Sequence, residues 1–262
     1  MADFLKEVEL RTRERLEVQK KQMPREKLRR YERRLAGRFE SALRLPGHVA
    51  VIAELKQASP SAGVIREEGD IAGRIRGYTR GGAAALSILT EEHYFRGSPH
   101  LLEAARQHTT LPLLRKDFII DPYQFEESLS LGADAILLIV ALLTGSKLKE
   151  FIEQTAELGL DALVEVHDEG EMERAMLAGA RIIGINNRNL RTLKVDMDTA
   201  KRLVPVLANQ GKVIVVESGI REPAQLRDCH RWGADAVLIG EALMRNADAE
   251  AAVRQFTQEV MS

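Results

Sequence analysis

Five stretches of the chain repeat one pattern of polarity, a glycine, a short step of small or polar residues, then an apolar run. Gly82-Ala83-Ala84-Ala85-Leu86-Ser87-Ile88, Gly132-Ala133-Asp134-Ala135-Ile136-Leu137-Leu138 and Gly233-Ala234-Asp235-Ala236-Val237-Leu238-Ile239 are close copies. Gly159-Leu160-Asp161-Ala162-Leu163-Val164-Glu165 and Gly179-Ala180-Arg181-Ile182-Ile183-Gly184-Ile185 are weaker ones. Each reads as a glycine closing a helix, a short loop, and a buried strand. Apolar runs at 49–54, 111–115 and 213–217 add three more strands. The strand ends then fall near Glu54, Ile88, Arg115, Ile139, Glu165, Ile185, Glu217 and Ile239, which makes eight. Helical patterns at 122–131, 147–158, 168–178 and 223–232 lie between them, and Pro122 and Pro223 suit a first helical turn.

Strict alternation of near-continuous apolar strands with helices implies a parallel sheet covered on its outer face. Eight units in this length fit a (β/α)8 TIM barrel. A doubly wound open sheet is the competitor, but it commonly has fewer strands, and the first turn here lacks the glycine-rich dinucleotide fingerprint. Before the first strand, residues 2–21 predict a helix with Phe4, Leu5 and Val8 on one face. A second, very basic helix is predicted from Pro24 to about Ala36, and Pro46-Gly47 marks a boundary. The reading is an N-terminal helical extension over residues 1–47 and a barrel over residues 48–262.

Composition changes this picture little. Hydrophobic residues are 45% of the chain, enough for a packed globule. The net charge of −1 conceals an asymmetry: residues 1–47 carry 14 Lys and Arg against 8 Asp and Glu. A basic arm can bind nucleic acid. Acidic residues interrupt this one throughout and aromatics are few, so an ordinary solvated helix surface is favoured. The single cysteine, Cys229, excludes a disulfide framework within one chain and suits the cytoplasm. Met1-Ala2-Asp3-Phe4-Leu5-Lys6 has no long apolar core, so no signal peptide is expected, and no run reaches transmembrane length.

The chemistry gathers at the predicted strand ends, where barrels place their active sites. The first strand closes on Glu54-Leu55-Lys56, whose charges at i and i+2 share a face. The others supply Thr90 to Phe95, Arg115-Lys116-Asp117-Phe118, Glu165 with His167, Asn186-Asn187-Arg188-Asn189, Glu217-Ser218-Gly219, and Gly240-Glu241. Any one of these charges is an ordinary solvated strand end, and the asparagine run suits a turn. Glu165, inside Leu163-Val164-Glu165-Val166, requires a partner. Gly219 and Gly240 sit where backbone N–H groups approach a phosphate in many barrels, though each suits a plain tight turn equally well. Glu241 is compatible with an anion only if its side chain turns away. The six histidines are scattered; Glu165 and His167 offer two ligands on one strand face without a third, so no metal is read.

These residues resemble the indole-3-glycerol phosphate synthase family of tryptophan biosynthesis. Glu54-Leu55-Lys56-Gln57-Ala58-Ser59-Pro60-Ser61, Leu89-Thr90-Glu91 with Tyr94-Phe95-x-Gly97-Ser98, and Leu114-Arg115-Lys116-Asp117-Phe118 carry the resemblance. So do Leu163-Val164-Glu165-Val166-His167, Ile185-Asn186-Asn187-Arg188-Asn189-Leu190 and Val216-Glu217-Ser218-Gly219-Ile220, in family order across the barrel region. Residues 1–47 match only in kind, as a helical extension over the barrel mouth, and Arg66 departs from the family's usual small or polar residue.

The resemblance implies a carbon–carbon lyase without cofactor or metal. It converts 1-(2-carboxyphenylamino)-1-deoxyribulose 5-phosphate to indole-3-glycerol phosphate, with loss of carbon dioxide and water. It implies Lys116 as general acid for condensation, Glu165 with Lys56 in dehydration, and Glu54 tuning the lysines. Asn186 orients substrate hydroxyls and Ser218 joins the catalytic set. Ser59, Phe95, Phe118, Leu137, Arg188 and Glu217 bind substrate, the three apolar ones as walls for the aromatic ring. Lys56, Gly219, Gly240 and the backbone of Glu241 hold phosphate, and residues 59–63 form a mobile lid. The implied protein is a monomer or weak homo-oligomer with no nucleic-acid or membrane partner. Two rivals remain: the isomerase one step earlier in the pathway, expected to use a cysteine and an aspartate, and a non-catalytic phosphosugar- or nucleic-acid-binding module.

Overall fold

A computed structural model describes residues 4–29, 36–66, 69–190 and 192–259. Its centre is a closed barrel of eight parallel strands. They are β1 (Ala50–Leu55), β2 (Ala85–Leu89), β3 (Leu113–Lys116), β4 (Ala135–Ile139), β5 (Asp161–Val166), β6 (Ile182–Asn186), β7 (Val213–Glu217) and β8 (Ala236–Ile239). Each pairs with its sequence neighbours, and β8 closes on β1 with Ala50 opposite Ala236. Every strand ends within one residue of the position its apolar run predicts. The five glycines of the repeat, Gly82, Gly132, Gly159, Gly179 and Gly233, all have positive φ. That left-handed conformation, nearly free of steric cost only for glycine, turns the chain from helix back into strand.

The barrel has two apolar layers set by strand parity. Ala50, Ile52, Ala85, Leu114, Ala135, Leu137, Leu163, Ile182, Val213, Val215, Ala236 and Leu238 fill its interior. Alternate residues such as Val51, Leu86, Ile136, Val164, Ile183 and Val237 point outward beneath the helices. The inward parity that holds Ile52, Leu114, Leu163 and Val215 continues two residues on to Glu54, Lys116, Glu165 and Glu217. One set of alternating positions therefore runs from a dry interior into a charged upper layer.

Outside the barrel lie α1 (Phe4–Gln22), α2 (Arg38–Leu43), α3 (Ile71–Arg80), α4 (Pro99–His108), α5 (Tyr123–Ser130), α6 (Gly145–Glu157), α7 (Glu169–Leu177), α8 (Asp198–Leu207), α9 (Gln225–Trp232), α10 (Glu241–Arg245) and α11 (Ala249–Thr257). Side chains of Asp70, Ser98, Thr144, Asp168 and Asp248 cap their helices by accepting a first-turn N–H.

The N-terminal segment departs from expectation in two ways. The helix predicted from Pro24 is only a 3-10 turn at Arg25–Lys27, after which Leu28 is extended. Leu28 packs on Leu16, Ile120 and Tyr123, and this tertiary contact overrides the helical preference of its basic neighbours. The rest of that predicted helix, residues 30–35, lies outside the described residues.

Secondly, the extension reaches both ends of the barrel, not the mouth alone. α1 runs along the mouth, where Arg15 bonds Asp117 at 3.0 Å and Lys20 bonds Asp121 at 2.8 Å. α2 sits at the opposite end, where Phe39 and Leu43 seal the interior. There the carboxylate of Asp161, at the start of β5, accepts the backbone N–H groups of Gly37, Phe39 and Glu40. Three orphan donors and a helix dipole are satisfied by one buried anion.

Candidate active site

At the carboxyl ends of the strands a cavity of about 490 Å³ opens. The residues to which the resemblance assigns site roles all line it: Glu54, Lys56, Ser59, Phe95, Lys116, Phe118, Leu137, Glu165, Asn186, Arg188, Glu217, Ser218, Gly219, Gly240 and Glu241; His167, Arg115, Asn187 and Asn189, also at the predicted strand ends, do not. Barrel register explains the convergence. Glu165 is level with Gly184, and Asn186 with Glu217, so β5, β6 and β7 raise polar side chains around one floor.

The floor is an ion cluster. Lys116 Nζ lies 2.8 Å from Glu165 Oε2 and 2.9 Å from Glu217 Oε2. Lys56 Nζ lies 2.8 Å from Glu54 Oε1, while Ser87 Oγ donates to Glu54 Oε2 at 3.3 Å. The three glutamates are at most 3% exposed, and charges so deep persist only when paired. Glycines make room for them: a Cβ on Gly184 would collide with Glu217 Oε1, and one on Gly240 would lie 2.5 Å from Glu54 Oε1.

Burial alone would neutralise the Lys116 ammonium, but Glu165, Glu217 and Glu54 outweigh it and hold its pKa above the ordinary lysine range. Burial also opposes a charge on Glu165, and here Lys116 and His167 win, keeping its pKa below the usual carboxylate range. Glu217 goes the other way: burial is the largest influence, Lys116 only partly offsets it, and the nearby Glu165 and Glu54 add repulsion, so its pKa is pushed up to about 7. Two carboxylates on one ammonium thus have unlike proton affinities, as acid–base sites require.

The walls differ by side. Phe118, Phe95 and Leu137 form an apolar flank, with the two rings 6.3 Å apart, and Phe4 of α1 stands edge-on to Phe118 at 6.5 Å. Glu91 holds the loop that carries Phe95, accepting the N–H groups of His93, Tyr94 and Phe95. Opposite, Ser218 and Gly219 take consecutive left-handed conformations, and a Cβ on Gly219 would press on Met197 and Val195. The carboxylate of Glu241 pairs with Arg245, also on the cavity wall, at 2.8 Å. Asn186 Oδ1 accepts from Arg188 N, and Arg188 Nη1 donates to Ser61 Oγ at 2.8 Å and to the Leu193 carbonyl at 2.9 Å. Ser61 lies at the tip of a two-stranded ribbon, Ala58–Ser59 with Gly63–Val64, which forms the rim.

Sequence reasoning missed Phe4, Arg221 and Arg245 among the lining residues. Arg221 stands two residues beyond the Ser218-Gly219 turn, a spacing that could have flagged it; Phe4 carries no local signal, since only the fold brings α1 there. Arg115 and Asp117, adjacent to Lys116, serve the scaffold. Arg115 is fully buried against Glu127 of α5 at 2.7 Å, and bonds Asp117 at 3.0 Å. Asp117 also accepts from Thr90 at 2.7 Å and from Arg15. Cys229 is buried on α9 in the outer layer, its thiol pushed up to about 12 by burial, away from the cavity that the rival isomerase reading would need it to enter. Among the described residues no group of three or more His, Cys, Asp or Glu is arranged to hold a metal ion, and no helix is long and apolar enough to cross a membrane.

A closed parallel barrel with buried, paired lysines and glutamates beneath a half-apolar cavity places the chain in the (β/α)8 class of enzymes that act on small molecules. A family model described as indole-3-glycerol phosphate synthase matches residues 5–256. An indole-3-glycerol phosphate synthase of Carboxydothermus hydrogenoformans is 53% identical over 77% of this chain and 76% of that one. One of Campylobacter curvus is 43% identical over 97% and 99%. The chain belongs to the indole-3-glycerol phosphate synthase family, a family of carboxy-lyases. Solved structures share the fold at low identity. A 3-hexulose-6-phosphate synthase from Salmonella typhimurium superposes with a TM-score of 0.64 at 15% identity, covering 81% of this chain and 98% of that one. A thiamine phosphate pyrophosphorylase from Pyrococcus furiosus gives 0.59 at 16% identity, over 82% and 96%.

Proposed function

We propose that this chain closes the indole ring of 1-(2-carboxyphenylamino)-1-deoxyribulose 5-phosphate through acid–base catalysis by Lys116, Glu165 and Lys56. The observation that carries this reading is the Lys116 ammonium held between Glu165 and Glu217 on the cavity floor. In condensation the ring carbon bearing the carboxylate attacks the ribulose carbonyl. The carbonyl oxygen gains electrons as the new carbon–carbon bond forms. An ammonium raised above its ordinary range does not protonate a neutral ketone, but it stabilises the growing negative charge and protonates the alkoxide, the strongest base the step produces. The carbon–carboxylate bond then breaks, its electrons return to the ring system, and carbon dioxide departs. In dehydration the new hydroxyl leaves as water with a proton from Lys56. Positive charge spreads to the anilinic nitrogen, where Glu165 stabilises it and receives the proton lost from the adjacent methylene. Loss of carbon dioxide and water balances substrate with product, so the sequence of steps draws on no redox group.

The rest of the cavity supports the same substrate. Phe95, Phe118 and Leu137 flank the aromatic ring, with Arg188 and Ser59 at the lid side and Asn186 and Ser218 toward the hydroxyls. Lys56 and the backbone at Gly219, Gly240 and Glu241 receive the phosphate, and the Glu241–Arg245 pair keeps the carboxylate from opposing it. Glu54 holds Lys56, and Glu217 shares Lys116. We read residues 1–47 as an extension of a catalytic barrel spanning 48–262. The reading is of a cytoplasmic monomer or weak homo-oligomer without a nucleic-acid partner. The test is indole fluorescence on mixing purified protein with the carboxyphenylamino-deoxyribulose phosphate in EDTA. Sustained turnover is expected. Tight binding of the substrate without turnover would leave a phosphosugar-binding barrel and overturn the catalytic assignment.

A further inference from the structure

Glu165 has a second neighbour besides Lys116. His167 stands one residue past the end of β5, and its ring lies beside the Glu165 carboxylate. His167 Nε2 stands 3.3 Å from Glu165 Oε1, the oxygen that Lys116 does not use; this is an ion-pair contact, not an aligned hydrogen bond, and Nε2 has no hydrogen-bond partner among the described residues. On the other edge of the ring, Glu171 Oε2 is 2.9 Å from His167 Nδ1 and 2.9 Å from the His167 backbone N–H. Glu171 is itself set by the first turn of α7, whose cap Asp168 accepts the Glu171 N–H at 2.8 Å. A ring pinned between two carboxylates has one favourable protonation state. With a proton on Nδ1 alone, the Nε2 lone pair would face a carboxylate oxygen; with a proton on Nε2 alone, the Nδ1 lone pair would face the other. Only the imidazolium donates from Nδ1 to Glu171 while placing positive charge, not a lone pair, beside Glu165.

We propose that His167 is a charged positioning residue, an imidazolium held by Glu171 that sets its positive charge beside Glu165 Oε1 and keeps Glu165 ionised while Lys116 gives up its proton. The proposal rests on the reading of Glu165 and Lys116 given above. At the moment Lys116 becomes neutral, Glu165 would otherwise be a buried carboxylate with no cation, beside Glu217. His167 supplies the charge that lets Glu165 remain an anion for dehydration, where it faces positive charge on the substrate.

The groups that bear on the ring come from four elements: Glu165 on β5, Glu171 on α7, and one carboxylate further off Lys116 on β3 and Glu217 on β7. Burial opposes the charged ring, but the two glutamates outweigh it and raise its pKa to about 10.

Nitrogen-15 NMR of the wild-type imidazoles at pH 7.5, assigned by the signal lost in His167→Gln, reads the charge directly. Two protonated-type nitrogens are expected for His167; a neutral tautomer overturns the proposal. In steady-state kinetics His167→Gln is expected to lower kcat roughly 10- to 100-fold with KM nearly unchanged. The acid limb of kcat/KM should move up by about one pH unit, because a carboxylate that loses a cationic neighbour binds its proton more tightly. Wild-type kcat and an unmoved acid limb in a folded His167→Gln also overturn it. Should that variant fail to fold, Glu171→Gln carries the test: the His167 titration midpoint must fall, and an unchanged midpoint counts against the proposal. Failure of the wild type to turn over substrate, with the imidazolium present, would strike the catalytic reading and leave the ring's charge standing.

Discussion

Gly184 has no chemistry of its own, yet Glu217 Oε1 occupies the space a methyl group would need there. Gly184→Ala therefore pushes Glu217 off Lys116 without removing any charged group. If Lys116 is the acid proposed above, displacing one partner of its ammonium lowers kcat by roughly 100-fold with much less change in KM, and steady-state kinetics checks it. Glu217 also leaves a signature in stability. Its pKa rises from 4.5 to about 7 on folding. The folded state then binds more protons than the unfolded one between those values, so this group's contribution to stability is lost as pH rises through that window. Glu217→Gln removes the titration. Its thermal midpoint, relative to wild type, is expected to increase steadily from pH 4.5 to pH 7 and level off above; a difference independent of pH would contradict the account. Glu165 has the opposite sign, its stabilisation being present at neutral pH and lost on acidification.

At the scale of elements, α1 is held to the barrel by charges that the site does not use. Arg15 reaches Asp117, which also serves Arg115 and Thr90, one residue along the chain from Lys116. Removing one partner of a buried pair costs about 3–5 kcal/mol when nothing replaces it. Asp117 keeps Arg115, so Arg15→Ala is expected to cost less, roughly 1–3 kcal/mol, seen as a lower thermal midpoint with kcat reduced only a few-fold. A loss of kcat as large as that of a floor residue would mean that α1 positions Lys116 directly. The elements differ in how far the sequence reveals them. Strands were legible because glycine followed by a buried apolar run is a local signal. The helix predicted after Pro24 was not, because Leu28 answers to Leu16, Ile120 and Tyr123, contacts that no window of sequence contains. α2 was missed for the same reason: six residues with a cap supplied by Asp161, more than a hundred positions away.

Over the whole molecule, the barrel turns strand parity into a site. Glu54, Lys116, Glu165, Asn186 and Glu217 share inward parity with the apolar residues below them, so alternation read along each strand already collects them on one floor. Pairing was not legible. That Lys116 would choose Glu165 and Glu217, and Lys56 choose Glu54, follows from registers that only closure of the barrel sets. Phe4, Arg221 and Arg245 reach the cavity through the same closure. The central claim is that the Lys116 ammonium delivers the proton in ring closure. Its most direct test is Lys116→Ala, measured for indole fluorescence and, separately, for substrate affinity by titration. The account predicts a loss in kcat on the order of 10³-fold, with affinity within a few-fold of wild type because the phosphate and ring contacts are untouched. Turnover within ten-fold of wild type would contradict it, as would a defect confined to binding.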